Sequence, residues 1–249
     1  MPSLSQSESL RAWIDDPRVP HGVEAEVEAA DAEFAAGRDL AALLARLVID
    51  GHRQSVLEFG AGSSSRVFAQ SLASTGSGRL TSVEASPQWC GSAWEHVERC
   101  EAVDARLVQA PVTSRFTPQG YLHGYWSAAA AIAERGPFDL VFIDGPQGCF
   151  GRDASLLLAV ESLADDAVIV LDDAARWKER ATVRRWLRTL GGLELLVHDT
   201  TFNRGKGVAV LGRGAAVRPR FSSRAFVSAN CIAAVNWWSR LQDPSSKAA

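Results

Sequence analysis

Short apolar runs alternate with helical periodicity from residue 55 onward, and this alternation predicts strands separated by helices. The apolar runs cover residues 55–59, 80–84, 105–109, 138–143 and 167–171. Strands that are apolar along their whole length are typical of parallel sheets buried on both faces. We therefore predict an α/β fold in which helices cover both sides of a doubly wound sheet.

Two more apolar runs follow, at residues 193–198 and 207–211. The connection between them, residues 199–206, is shorter than the dozen or so residues that a parallel crossover needs. These last two strands should therefore be antiparallel to each other. The full prediction is a mostly parallel, seven-stranded sheet with a C-terminal antiparallel hairpin.

Helical patterns precede this core. The apolar stripe of an amphipathic helix consists of Leu40, Leu43, Leu44, Leu47 and Val48. Residues 24–36 are rich in Ala and Glu, which favour helix, and residues 1–22 are predicted to form a surface arm or short helix. We divide the chain into an N-terminal helical segment packed on the core (1–50), the sheet domain (51–213) and a C-terminal extension (214–249).

Composition narrows the classes of function. Among 249 residues, 26 are Lys or Arg and 29 are Asp or Glu, so the formal net charge is −3. This balance argues against a dedicated nucleic-acid surface, and no apolar run approaches the roughly 20 residues of a membrane helix. Four cysteines without CxxC spacing and a polar N-terminus predict a cytoplasmic protein with reduced thiols that binds neither nucleic acid nor membrane.

A glycine-rich turn, Gly60-Ala61-Gly62, follows the first predicted strand and precedes a helical stretch that should begin at Ser65. Glycines in such a turn let a ligand approach the backbone, and the helix N-terminus presents free N–H groups. Glu84 ends the second strand, where a carboxylate can accept hydrogen bonds from both hydroxyls of a ribose. Each feature alone also suits a tight connection or a solvated strand end. Together they indicate a nucleoside-binding crevice.

Two residues distinguish among nucleoside cofactors. Ser65 stands where a nicotinamide-dinucleotide fingerprint has its third glycine. Glu58 ends the first strand, where a carboxylate would repel a pyrophosphate but attract an ammonium group. These residues favour a cofactor that carries an ammonium group, and a dinucleotide-dependent oxidoreductase on a similar fold is kept as an alternative.

Over residues 40–213 the chain resembles the class I S-adenosylmethionine-dependent methyltransferases, which have a Rossmann-like fold. The resemblance rests on three motifs, which are Glu58-Phe59-Gly60-Ala61-Gly62, Val83-Glu84-Ala85 and the acidic end of residues 138–145. It implies that S-adenosylmethionine is bound by its methionine end at the glycine turn, by its ribose at the second strand and by its adenine after the third. The implied cofactor-binding residues are Glu58, Gly60, Ala61, Gly62, Ser65, Glu84, Ala85, Gln109, Ala110 and Asp144.

Three aspartates follow the later strands: Asp144 ends the fourth, and Asp172 and Asp173 end the fifth. Because the carboxyl ends of parallel strands meet at one edge of a sheet, we expect these groups to converge. They would repel one another unless a cation lies between them or one is protonated, and Mg²⁺ and Ca²⁺ prefer oxygen ligands. The three aspartates are therefore candidate metal ligands. In the structural alternative, Asp172 caps the next helix, Asp173 is solvated and Asp144 orients the cofactor.

The same aspartates resemble those of metal-dependent small-molecule O-methyltransferases of the catechol type. Those enzymes have an Asp-Asn pair where this chain has Asp172-Asp173, and a lysine base where it has Gln147. Glutamine cannot accept a proton at neutral pH, so the resemblance is incomplete at the base.

A hydroxyl acceptor needs a base, and the candidate catalytic residues are Asp144, Asp172 and His123, with Lys178 as a further one. His123 lies in an aromatic cluster at residues 121–126 that could grip a substrate, although a lone histidine among aromatic residues is commonly structural. Lys178 equally suits the solvated face of a helix.

We predict S-adenosylmethionine-dependent methyl transfer to a small molecule, most favourably to a hydroxyl oxygen. Because the lysine is missing, a non-catalytic S-adenosylmethionine-binding protein is a second alternative beside the oxidoreductase. The absence of an Asn/Asp-Pro-Pro-aromatic motif disfavours methylation of nucleic-acid bases. Trp237 and Trp238 cannot both face one way on a helix, so one of them could cover the substrate crevice or a neighbouring subunit, and we also consider a homodimer.

Overall fold

The computed structural model describes residues 4–30, 36–146 and 152–242. Three helices precede the sheet, which are α1 (Leu4–Asp15), α2 (Glu24–Ala29) and α3 (Arg38–Ile49). The whole apolar stripe predicted for α3 is buried, and it packs against the sheet together with residues of α1. The N-terminal helices therefore cover one face of the sheet.

Strands and helices alternate through most of the remaining described chain, except that the third, fourth and fifth strands follow one another directly. The strands are β1 (Ser55–Phe59), β2 (Gly78–Glu84), β3 (Val103–Gln109), β4 (Thr113–Thr117), β5 (Gly120–Gly124), β6 (Phe138–Ile143), β7 (Leu163–Asp172), β8 (Leu190–Asp199) and β9 (Val208–Pro219). The helices are α4 (Ser63–Ser74), α5 (Pro87–Glu98), α6 (Ala129–Arg135), α7 (Asp153–Ala159), α8 (Trp177–Thr189), the single turn α9 (Phe202–Gly205) and α10 (Ser223–Gln242).

The main sheet has seven strands in the order β3-β2-β1-β6-β7-β9-β8. The first five strands in this order are parallel to one another, whereas β9 is antiparallel to both β7 and β8. The strand order reverses direction at β1, and in such sheets ligands bind outside the carboxyl ends of the strands at this point. The predicted fold class is confirmed: the sheet is doubly wound, mostly parallel and ends in an antiparallel pair.

Both faces of the sheet are covered, as continuous apolar strands require. Val56 and Phe142 belong to the core cluster on the side of α3, whereas Leu57 and Ile143 pack in a second cluster with Trp186 of α8. All of these side chains are buried, and each such burial contributes about 1.5–3 kcal/mol relative to exposure. The two cores hold the ends of β1 and β6 in place.

The structure differs from the sequence-based expectation at two element boundaries. Helix α4 begins at Ser63 rather than Ser65, because the Ser65 Oγ accepts a hydrogen bond from the Gly62 N–H at 3.0 Å and closes the first turn. Strand β9 runs to Pro219 and continues to pair with β8 beyond Arg213. The expected boundary between the sheet domain and the C-terminal extension therefore falls within a strand.

The small antiparallel sheet β4–β5 was not predicted. Strand β4 is almost entirely exposed, so its sequence lacks the apolar run by which a strand is recognised. Helix α10 packs against this sheet: the Tyr121 N–H donates to Asn230 Oδ1 at 3.3 Å, and a Cβ on Gly120 would lie only 2.8 Å from the Cβ of Ala229. No helix in the described ranges is both long and apolar enough to cross a membrane.

Candidate active site

The two glycines of the turn between β1 and α4 serve different purposes. Gly60 has a φ of +96°, and a Cβ there would lie 2.9 Å from the backbone nitrogen of Gly145. Only glycine fits this position without strain. Gly62 is extended, and a Cβ there would meet no atom within 4 Å. The backbone at Gly62 therefore borders open space where a ligand can approach it, beside the N-terminus of α4.

Glu58 lies directly beneath this turn and is completely buried. Its Oε1 accepts a hydrogen bond from Ser64 Oγ at 2.5 Å, and its Oε2 accepts bonds from Ser65 Oγ at 2.6 Å and Ser82 Oγ at 2.5 Å. Burial raises the pKa of Glu58 to about 7, although the three hydroxyls act to lower it.

The sequence-based prediction had Glu58 facing an ammonium group. In the structure both of its oxygens accept hydrogen bonds from serine hydroxyls, and Ser65 Oγ in turn accepts one from the Gly62 N–H. This chain of hydrogen bonds ties the carboxylate of β1 to the backbone of the glycine turn. The charge of Glu58 therefore acts on the turn through Ser65.

Glu84 ends β2, the strand that lies next to β1 in the sheet. Its Oε1 accepts hydrogen bonds from the N–H groups of Ala85, at 2.7 Å, and Ser86, at 2.8 Å. In register with it lies Gln109 at the end of β3, and the Ala110 N–H donates to the Glu84 carbonyl at 2.9 Å. Ala85 and Gln109 are exposed and Ala110 is buried. The structure thus brings together the residues predicted for the ribose and the adenine.

Tyr125 reaches the centre of the site from the end of the small sheet. A Cβ on Gly145 would lie 2.4 Å from the Tyr125 hydroxyl oxygen and 3.0 Å from the Cα of Gly60, so the tyrosine lies against both strand ends. Its ring stacks on Phe59 with the centroids 6.1 Å apart. Burial, followed by the negative charges of Glu84 and Asp144, raises the pKa of Tyr125. Sequence reasoning identified the aromatic cluster at 121–126 but selected His123.

His123 lies within the small sheet, on β5. Its Nδ1 is 2.8 Å from Ser114 Oγ of β4, and its ring stands edge-on to Tyr121 with the centroids 5.4 Å apart. Lys178 is on α8, with its Nζ 5.6 Å from the centre of the Trp177 ring. The structure does not group either residue with the aspartates at the end of the sheet, and Gln147 lies outside the described residues.

The three aspartates converge as predicted. Each of Asp144, Asp172 and Asp173 offers a carboxylate oxygen, and these oxygens lie within 4.8 Å of one another. Asp173 has a φ of +58°, an uncommon conformation for a residue other than glycine. The alternative in which Asp172 caps the next helix is wrong, because α8 begins only at Trp177.

Asp172 has the most perturbed environment of the three. It is buried, and its Oδ1 has no hydrogen-bond partner among the residues that the structure describes. Burial, together with the negative charges of Asp144 and Asp173, raises its pKa to about 8. The carboxyl group of Asp172 therefore holds its proton to a higher pH than an ordinary aspartate does.

Arg152 was missed by the sequence-based reasoning and is the main cation at this cluster. Its Nη2 donates to Asp144 Oδ1 at 2.8 Å and to Asp173 Oδ2 at 2.7 Å, and its Nη1 donates to the backbone carbonyl of Asp172 at 2.8 Å. Its side chain is buried. A second arginine, Arg176, reaches Asp173 Oδ2 at 2.9 Å from a half-exposed position. The only hint in the sequence was that the carboxylates need a positive charge.

Residues 57–174 match a family model described as a methyltransferase domain. A comparison with curated protein sequences gave no match. The structural similarity extends further along the chain than the family match does.

Three solved structures share the fold. The O-methyltransferase TomG from Streptomyces achromogenes, involved in tomaymycin synthesis and determined in complex with SAM, is 19% identical with a TM-score of 0.56, over 86% of this chain and 100% of TomG. An O-methyltransferase from Bacillus cereus in complex with SAH is 18% identical with a TM-score of 0.51, over 86% and 92%. Cofactor-bound Rv0187 from MTB is 20% identical with a TM-score of 0.53, over 86% and 98%. At sequence identities this low, the structural similarity establishes the common fold alone.

Proposed function

We propose that this protein, whose residues 57–174 match a methyltransferase-domain model, is an S-adenosylmethionine-dependent methyltransferase that methylates a hydroxyl oxygen of a small molecule. One observation carries the proposal: the glycine turn, Glu84 and the aspartate cluster lie at the carboxyl ends of adjacent strands. We infer that the cofactor and a group able to accept a proton meet at this edge of the sheet, in a crevice between the strand ends. Two of the structures that share the fold are O-methyltransferases, which supports oxygen as the acceptor atom.

The residues of the crevice suit S-adenosylmethionine. The open backbone from Gly60 to Gly62 would receive the methionine end, with Glu58 and Ser65 positioning the turn. Glu84 would accept hydrogen bonds from the ribose with its Oε2, because its Oε1 already accepts two backbone N–H groups. Around the adenine we place Ala85, Gln109 and Ala110.

When bound, the cofactor supplies an activated methyl group, so the protein has to align the acceptor, exclude water and remove one proton. We assign the proton to Asp172, since a pKa of about 8 makes its carboxylate a stronger base than an ordinary aspartate. Asp144, held by Arg152, would orient the acceptor beside the methyl group. We assign His123 a structural role, in which it joins β5 to β4 through Ser114.

Titration calorimetry tests the cofactor site. Glu84→Ala should weaken S-adenosylmethionine binding about tenfold or more, because a hydrogen bond to a charged group is worth about 1.5–3 kcal/mol. Glu95→Ala, an exposed glutamate on α5, is the matched control and should bind like the wild type. Undiminished binding by Glu84→Ala would contradict the assignment.

Turnover tests the acceptor. Small molecules carrying a phenolic hydroxyl, an aliphatic hydroxyl, an amine or a thiol are incubated with the protein and S-adenosylmethionine, and methylated products are measured by mass spectrometry. Methylation of hydroxyl compounds alone is the expected result. Cofactor binding without any methylated product would favour the non-catalytic alternative. Bound nicotinamide, detected by its fluorescence, would favour the oxidoreductase alternative.

The homodimer also remains a proposal. Trp237 and Trp238 on α10 are 62% and 60% exposed, although large apolar side chains in neighbouring positions are usually covered. Light scattering after gel filtration should report twice the mass of the chain. A monomer at all concentrations would contradict it.

A further inference from the structure

The positive charge that compensates the aspartate cluster comes from the protein itself, from Arg152. Asp144 Oδ1 and Asp173 Oδ2 both accept hydrogen bonds from one nitrogen of Arg152, and the carbonyl oxygen of Asp172 accepts one from the other. These three oxygens belong to the same residues that would have to bind a divalent ion at this place. The guanidinium therefore already uses part of the donor set.

Burial makes this arrangement difficult to exchange for a metal ion. The side chain of Arg152 is 2% exposed, and that of Asp173 is 6% exposed. A buried guanidinium is tolerated only while it is paired with carboxylates. A divalent ion that took oxygens from Arg152 would leave this cation without compensation in the interior. The ion and the arginine therefore compete for the same ligands.

We infer that Arg152 takes the place of a divalent metal ion, so that this carboxylate cluster is held together and positioned without bound metal. Arg152 is then a positioning residue: it bridges Asp144 at the end of β6 to Asp173 after β7. The metal ligands expected from the sequence fit this structure less well than an internal ion pair does. Metal-independent turnover rests on the proposed function, whereas the absence of metal binding does not.

Metal titration of the wild-type protein is the first test. The protein, freed of metal with EDTA, is titrated with Mn²⁺, whose binding is followed by electron paramagnetic resonance, and its melting temperature is recorded with Mg²⁺, Ca²⁺ and Mn²⁺. We expect no bound Mn²⁺ and an unchanged melting temperature at millimolar metal. One Mn²⁺ bound per chain, lost in the Asp173→Asn variant, would overturn the inference.

Substitution of the arginine is the second test. Arg152→Met leaves buried carboxylates uncompensated, so its melting temperature should fall, and millimolar Mn²⁺ should raise it again because the ion now has free ligands. Adding Asp173→Asn to this variant should restore stability and abolish the response to Mn²⁺. Arg176→Met is the matched control: it removes the half-exposed arginine from the same aspartate and should stay insensitive to metal. An Arg152→Met protein that melts like the wild type and ignores Mn²⁺ would refute the inference.

If Arg152→Met does not fold, the Arg152→Lys variant, which keeps a positive charge, is used in the test in place of Arg152→Met. The lysine variant should be insensitive to metal, and Mn²⁺ binding that depends on Asp173 would count against the inference. Enzymatic activity is measured separately, and methyl transfer that continues in EDTA agrees with the inference. Loss of transfer in EDTA, restored by added metal, contradicts it. If the wild-type protein shows no methyl transfer at all, only the proposed function is refuted, because the metal titration tests the role of Arg152 independently of activity.

Discussion

Replacement of Glu58 by glutamine tests how the glycine turn is held. The carboxylate is completely buried against three serine hydroxyls, and burial raises its pKa from 4.5 to about 7. Glutamine has nearly the same size and shape but carries no charge at any pH. The variant therefore removes the titration while it disturbs the packing as little as the chain allows.

The magnitude follows from proton linkage. Between pH 4.5 and about 7 the folded protein holds a proton on Glu58 that the unfolded chain has lost, so folding is favoured by acid. This contribution is fully present below pH 4.5 and is lost as the pH rises through about 7. The loss is about 1.4 kcal/mol per pH unit and about 3 kcal/mol in all, of which roughly 2 kcal/mol falls between pH 5 and pH 7.5.

Urea unfolding at pH 5 and at pH 7.5 measures this effect. We expect the stability of Glu58→Gln relative to the wild type to increase by about 2 kcal/mol from the lower to the higher pH, while the titration of other groups cancels in the difference. Glu134→Gln, an exposed glutamate on α6 that pairs with Arg106, is the control and should show no such change. If Glu58→Gln and the wild type differ equally at both pH values, the buried carboxylate does not titrate as the structure implies.

Three further predictions concern the turn, the base and the core. Gly60→Ala should lower the free energy of unfolding by about 1–3 kcal/mol because of its positive φ and the close Gly145 nitrogen, whereas Gly62→Ala should keep its stability and weaken S-adenosylmethionine binding; urea unfolding and calorimetry separate the two. Asp172→Asn should lower kcat about 10²–10⁴-fold and abolish the rise of wild-type kcat through about pH 8, and a variant that keeps this pH dependence would contradict the assignment. Trp186→Ala should cost about 3–5 kcal/mol in urea unfolding, against less than about 0.5 kcal/mol for the half-exposed Trp177→Ala; equal losses would contradict the packing described.

Much of the architecture could be read from local patterns. The apolar run at residues 55–59 predicted a strand buried on both faces, and all five of its residues are buried. The short connection at 199–206 excluded a crossover, and β8 and β9 are indeed antiparallel. Such predictions succeed because the period of burial and the length of a connection constrain the backbone within a few residues. The exposed strand β4 carries no such signal.

The partners of the buried charges could not be found in this way. Arg152 binds Asp173, 21 residues away, and Ser82 donates to Glu58, 24 residues away. Sequence reasoning could state that the aspartates need a positive charge or a proton, because repulsion between carboxylates is a general property of charge. Which group supplies that charge depends on how the strand ends and the helices around them pack.

The same limit explains the choice of His123 over Tyr125. Both belong to one aromatic stretch, and their order along the chain does not reveal which of them meets the strand ends. The packing of β5 against α7 and α10 decides which side chain does so, and it brings the Tyr125 hydroxyl next to Gly145. Hydrophobic periodicity is a local property and therefore determines the layers of the fold, whereas buried polar contacts join distant segments and arise only once those layers are assembled.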